Sequence, residues 1–158
     1  MGYDAGTYYT EIYLAKENFA EIEKRFQTLM DSQHPTGHYL DGSETWRERK
    51  YGKLSYYTTA SKKFVVDDIF NTFGFEYTED KEGNITDINY PDSSYNNDSV
   101  DAFLSLLEGL IAEGGRVEWL GSSGDDDRWM HYHHNGKWTQ HGGVMEIEYM
   151  NPPEGVTF

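Results

Sequence analysis

The sequence predicts an α+β fold: an antiparallel β-sheet built mainly as a meander, with about three helices on one face. Three observations lead there. Apolar residues recur at helical spacing in three separate stretches. Short alternating runs divided by turn residues fill the C-terminal third. The pair Asn135-Gly136 stands between two of those runs, and Asn-Gly supplies the positive φ that a tight two-residue hairpin needs.

Taken in order, residues 7–15 alternate loosely through Tyr9, Ile12 and Leu14 and read as a strand. The period then changes: Phe19, Ile22, Phe26, Leu29 and Met30 form a helical stripe, with Asn18 as expected N-cap and Glu21 three residues on. Pro35, Gly37 and Gly42 mark a long loop, and residues 54–59 have strand composition. Ser61 is the expected cap of a second helix carrying Phe64, Val65, Ile69, Phe70 and Phe73, with Gly74 as its stop. Residues 75–78 and 85–90 flank a turn and read as a hairpin, and residues 91–98 as a polar loop. Ser99 opens a third helix along Val100, Phe103, Leu104, Leu107, Leu110 and Ile111, ended by Gly114-Gly115. Strands follow at 117–120, 128–134, 137–141 and 144–149. Residues 1–150 make one expected domain, and 151–158 a tail.

At 158 residues the chain can bury a core without disulfides, and it contains no cysteine. Hydrophobic content is only 37%, yet thirteen Tyr, eight Phe and four Trp supply the area that a disordered chain lacks. No signal peptide or acylation pattern is legible, and the longest apolar helix is too short for a bilayer, so the cytoplasm is the expected compartment.

Charge carries the functional reading. Residues 1–60 hold nine acidic and seven basic side chains, whereas residues 61–158 hold nineteen acidic and six basic ones, a net of −13. Such a field repels nucleic acid and anionic membranes and favours basic protein surfaces. The carboxylates expected to meet a partner are Glu76, Glu79, Asp80, Glu82, Asp125, Asp126 and Asp127, with Trp129 supplying contact area.

The main alternative is metal chemistry. His131 and His133 share a strand face by the two-residue period, and the Asn-Gly turn could bring His141 near, a trio suited to an open zinc site. Surface histidines facing water are the plainer account. His34 and His38 are separated by Pro35 and Gly37, which makes them loop residues. The three aspartates after Gly124 lack the oxygen spacing and terminal Glu of an EF-hand. Neither a nucleophile elbow nor a phosphate-binding glycine loop occurs, and no carboxylate pair stands out among 28 acids, so catalysis is not expected.

The stretch Gly114-Gly115-Arg116-Val117-Glu118-Trp119-Leu120-Gly121, then Asp125 to Trp129 and Asn135-Gly136-Lys137, resembles an uncharacterised family of small acidic phage and bacterial proteins. The opening Met1-Gly2-Tyr3-Asp4 and the segment from Phe73 to Ile85 are similar too. The family pattern reads Gly-x-x-Ile-Glu-Trp-x-Gly-Glu-Asp-Gly, then Trp-Arg; here the acidic loop differs and Arg128-Trp129 reverses that order. The family lacks an assigned activity, so the resemblance implies no catalytic residue.

By analogy with anti-CRISPR and other anti-defence proteins of mobile elements, size and charge suggest a nucleic-acid mimic. The expectation is therefore a non-enzymatic inhibitor that needs no cofactor and blocks a basic groove of a CRISPR effector or other nuclease. A zinc-binding domain or enzyme, and a toxin-neutralising immunity protein, are the alternatives.

Overall fold

The computed structural model describes residues 3–32, 64–91, 93–95, 97–121, 128–142, 147–149 and 157. The elements in chain order are β1 (Tyr3–Glu11), a 3-10 turn (Lys16–Asn18), α1 (Phe19–Met30), α2 (Val66–Phe73), β2 (Glu76–Glu79), β3 (Ile85–Asn89), β4 (Ser93–Tyr95), α3 (Asn97–Leu107), β5 (Arg116–Gly121), β6 (Arg128–His134), β7 (Lys137–His141) and β8 (Ile147–Tyr149). The α+β architecture is as expected. Six antiparallel strands run in the order β4-β1-β5-β6-β7-β8, and β2 pairs with β3 as a separate hairpin. The last four strands form the expected meander, and β1 is inserted between β4 and β5.

One face of the six-stranded sheet carries Val117, Trp119, His131, His133 and Trp138, all buried. Register pairs Val117 with His131 and His133 with Trp138, so these side chains form one layer under the helices. Ring contacts tie that layer to them. Phe103 of α3 lies 5.0 Å from Phe70 of α2 and stacks at 4.1 Å on Phe75, whose ring in turn meets Trp119 edge-on. Phe26 of α1 meets Phe73 of α2 at 6.0 Å. A single buried cluster thus runs from Ile12 to Trp138.

Local chemistry moved several boundaries. Asn18 is already helical in φ and ψ and does not cap α1; its amide Nδ2 donates to the Leu110 carbonyl instead. At α2 the Asp68 carboxylate, three residues inside, accepts the Val65 N–H at 3.1 Å. Ser61 and the 54–59 strand lie outside the described residues. The polar loop expected at 91–98 contains β4.

The third helix stops about a turn early, at Leu107, because Gly109 takes φ +79 and ends it. Ile111 then bridges Leu14 rather than continuing the helical stripe. The carbonyls freed at that end are met from three directions. Trp138 Nε1 donates to Leu104 O at 2.8 Å, the Arg25 guanidinium donates to Leu106 O at 3.2 Å and Glu108 O at 2.8 Å, and Leu110 N donates to Leu107 O.

Gly74, the expected stop of α2, has φ +79, and a Cβ there would sit 3.3 Å from the Tyr90 ring. Gly74→Ala is expected to cost about 1 kcal/mol or more, from the left-handed backbone and the tight contact together. Urea denaturation midpoints of the two proteins measure it.

Candidate partner-binding surface

The acidity concentrates in one supersecondary unit. Residues 64–91, which form α2, β2 and β3, hold seven acidic side chains against Lys81 alone. Glu76, Glu79 and Glu82 are exposed, and no ion pair among the described residues neutralises them.

Asp80 does different work. Its carboxylate accepts the backbone N–H groups of Glu82 and Asn84 at 3.0 and 2.9 Å and the Asn84 side-chain amide at 3.0 Å. These bonds, the Asn84 side chain first, hold its pKa below the usual carboxylate range. Asp80 therefore shapes the hairpin turn that carries Glu79 and Glu82.

Asp67 and Asp87 add charge to the same unit and were not singled out in the sequence. Asp67 accepts the Tyr77 hydroxyl at 3.1 Å, which ties α2 to β2. Asp87 accepts a bond from Thr10 of β1. The Thr10 hydroxyl also reaches Ile88 O at 2.8 Å, and Leu14 exchanges backbone bonds with Ile85, so the hairpin is fixed to the main sheet.

Trp129 does not project as an isolated anchor. It stacks on Trp119 at 6.1 Å and meets Tyr95 edge-on at 5.2 Å, half-buried at the margin of the core. Cross-strand register accounts for this, since Trp129 pairs directly with Trp119. Asp125, Asp126 and Asp127 lie outside the described residues.

The histidine trio does not converge. His131 pairs with Gln140, and His141 pairs with Met130, so His141 occupies the opposite face of the sheet from His131 and His133. The lone pairs of the two buried rings are also taken. Trp119 Nε1 donates to His131 Nδ1 at 2.9 Å, which leaves the proton of the neutral ring on Nε2, facing Asp101 Oδ1 at 3.9 Å. The Gly109 N–H donates to His133 Nε2 at 3.0 Å, which fixes the proton on Nδ1.

A zinc shell made of these three residues is thus corrected, on pleat and on tautomer. Among the described residues no group of three or more histidine and acidic side chains is placed to hold an ion. Burial pushes the His131 pKa down to about 3 and that of His133 down as well. Glu113 and Glu108 partly oppose the shift at His133.

The outer face of the sheet holds the aromatics that sequence reasoning missed. A β-bulge between Thr7 and Tyr9 leaves Tyr8 as the extra residue and splays it outward, 60% exposed. Arg128 lies over the Tyr8 ring at 4.9 Å and Arg116 over Tyr9 at 4.8 Å. Only the bulge distinguishes Tyr8 from an ordinary strand tyrosine, and no sequence signal marks it.

No helix among the described residues is long and apolar enough to cross a membrane. Comparison with protein-family models, with curated proteins and with solved structures finds no match.

Proposed function

We propose that this chain is a non-enzymatic inhibitor that lays its acidic α2–β2–β3 unit against the basic, nucleic-acid-holding groove of a nuclease effector in the cytoplasm. The observation that carries the reading is the seven-to-one charge imbalance of residues 64–91, a helix and hairpin anchored in the core. Carboxylates held on a folded surface stand in for phosphates without the ordering cost of a flexible acidic tail. Glu76, Glu79 and Glu82 are the contacts, and Asp80 and Asn84 hold the turn that presents them. A CRISPR effector is the partner class for which this chemistry is best suited, because its heteroduplex channel is positively charged.

The test is displacement of a labelled target duplex from a guide-loaded RNA-guided nuclease, titrated with this protein at rising salt. Displacement at low salt that weakens steeply with ionic strength is expected. The triple variant Glu76→Gln/Glu79→Gln/Glu82→Gln should weaken it by about tenfold or more while melting like the parent, because the three groups are exposed. Absence of displacement across a panel of such nucleases, or displacement indifferent to salt and to the triple variant, overturns the reading.

A further inference from the structure

The outer face of the six-stranded sheet differs in charge from the rest of the chain. By register its side chains include Glu11, Arg116, Glu118, Arg128 and Lys137, together with His134 and His141. With Asp4, which the register places on the same face, three carboxylates stand there against three permanent cations, on a chain whose net charge is −15. The signs alternate at close range. Arg116 pairs in register with Glu11 and bridges Glu118 at 3.1 Å. The face is also rich in rings: Tyr8 is 60% exposed and Tyr9 41%. A shallow depression of about 320 Å³ lies beside them, lined by Tyr8, Glu118, Arg128, Met130 and His141.

We propose that a second copy of this chain docks on this face, giving a twofold dimer with the two sheets face to face. Two molecules of charge −15 repel at long range, and contact is least opposed where the local charge is balanced. In a twofold arrangement each surface meets itself, so a patch must satisfy its own complement. A patch that holds Arg116 beside Glu11 and Glu118 meets that condition for an axis that sets Arg116 of one copy opposite a carboxylate of the other. The exposed Tyr8 of one copy fills the depression bounded by Arg128, Met130 and His141 of the other, burying an aromatic ring against a thioether. Each dimer then carries two acidic hairpins.

Sedimentation equilibrium between about 1 and 300 μM tests this at low and at high salt, a range spanning ordinary weak-to-moderate dimer affinities. A monomer–dimer equilibrium is expected, and it should tighten as salt rises, because screening removes the repulsion between the two acidic bodies. That sign is the reverse of the salt effect expected for groove binding, so one reading can fail while the other stands. Met130→Glu, placed in the depression, should weaken association by about tenfold or more, in keeping with a central contact, and Tyr8→Ser should act in the same direction. Both variants are checked by far-UV circular dichroism and melting against the parent. A protein that stays monomeric throughout, forms open higher oligomers, or dimerises equally well with both substitutions overturns the proposal.

Discussion

Acidification from about pH 7 to pH 4.5 is expected to remove about 2–3 kcal/mol of folding stability through His131 alone, at about 1.4 kcal/mol per pH unit for one proton. The ring is fully buried, and burial depresses its folded pKa to about 3 from the ordinary 6.5. Between those values the unfolded chain holds the proton and the folded chain does not. Stability is therefore complete above about pH 6.5 and is lost as the pH falls toward 3.

The geometry gives the shift its mechanism. A protonated His131 would carry a hydrogen on Nδ1, where Trp119 Nε1 already points its own at 2.9 Å. His133 meets the same conflict with the Gly109 N–H and adds to the effect in the same direction. Depressed carboxylates such as Asp80 and Glu113 lose their contribution only as the pH falls through and below their ordinary values of 3.8 and 4.5, so the histidines set the slope above pH 4.5. Urea unfolding at half-unit pH steps reads the slope. His131→Leu should be less stable at neutral pH, because Trp119 loses its acceptor, yet its slope should fall by one proton. A flat profile down to pH 4.5, or an unchanged slope in the variant, contradicts the account.

Trp138→Ala is expected to cost about 3–5 kcal/mol, enough to unfold a marginal domain. The side chain is fully buried between His133 and the end of α3. Its indole N–H also satisfies Leu104 O, a helix-terminal carbonyl whose i+4 amide, that of Glu108, turns to Ser105 O instead. Trp138→Phe separates the two contributions. It keeps most of the ring area and removes the donor, so about 1–3 kcal/mol should be lost, the cost of a buried unmatched carbonyl. Chemical denaturation of both variants measures the difference. Equal losses would mean that the hydrogen bond contributes nothing beyond area.

Periodicity made most of the fold legible. The alternation of residues 128–141 around Asn135-Gly136 places β6 and β7 with their exact limits, and Asn135 takes the positive φ of +53 that the turn demands. The stripe from Phe19 to Met30 places α1 equally well. Failures came where a local signal had a distant competitor. Asn18 looks like a cap, but Leu110 O, 92 residues away, offers its amide a partner. Leu110 and Ile111 continue a helical stripe in sequence, yet Gly109 breaks the helix and Leu14 recruits Ile111 into a bridge.

Sites were less legible than elements, because a site is a convergence of side chains and spacing along one strand constrains only that strand. His131 and His133 do share a face, as their spacing requires, but the neighbour strand's register puts His141 on the other side. The acidic hairpin was legible as composition. Its division into presenting residues and the turn-forming Asp80 was not, since all four carboxylates look alike until Asn84 closes on one of them.

What the chain determined unaided is the class of fold, the surplus of negative charge and its concentration after residue 60, since these follow from short-range pattern and composition. Tertiary structure alone decided which polar groups went inward and which aromatics stayed out. Those choices depend on cross-strand register and on the bulge at Tyr8, where a shift of one residue moves a side chain from core to solvent.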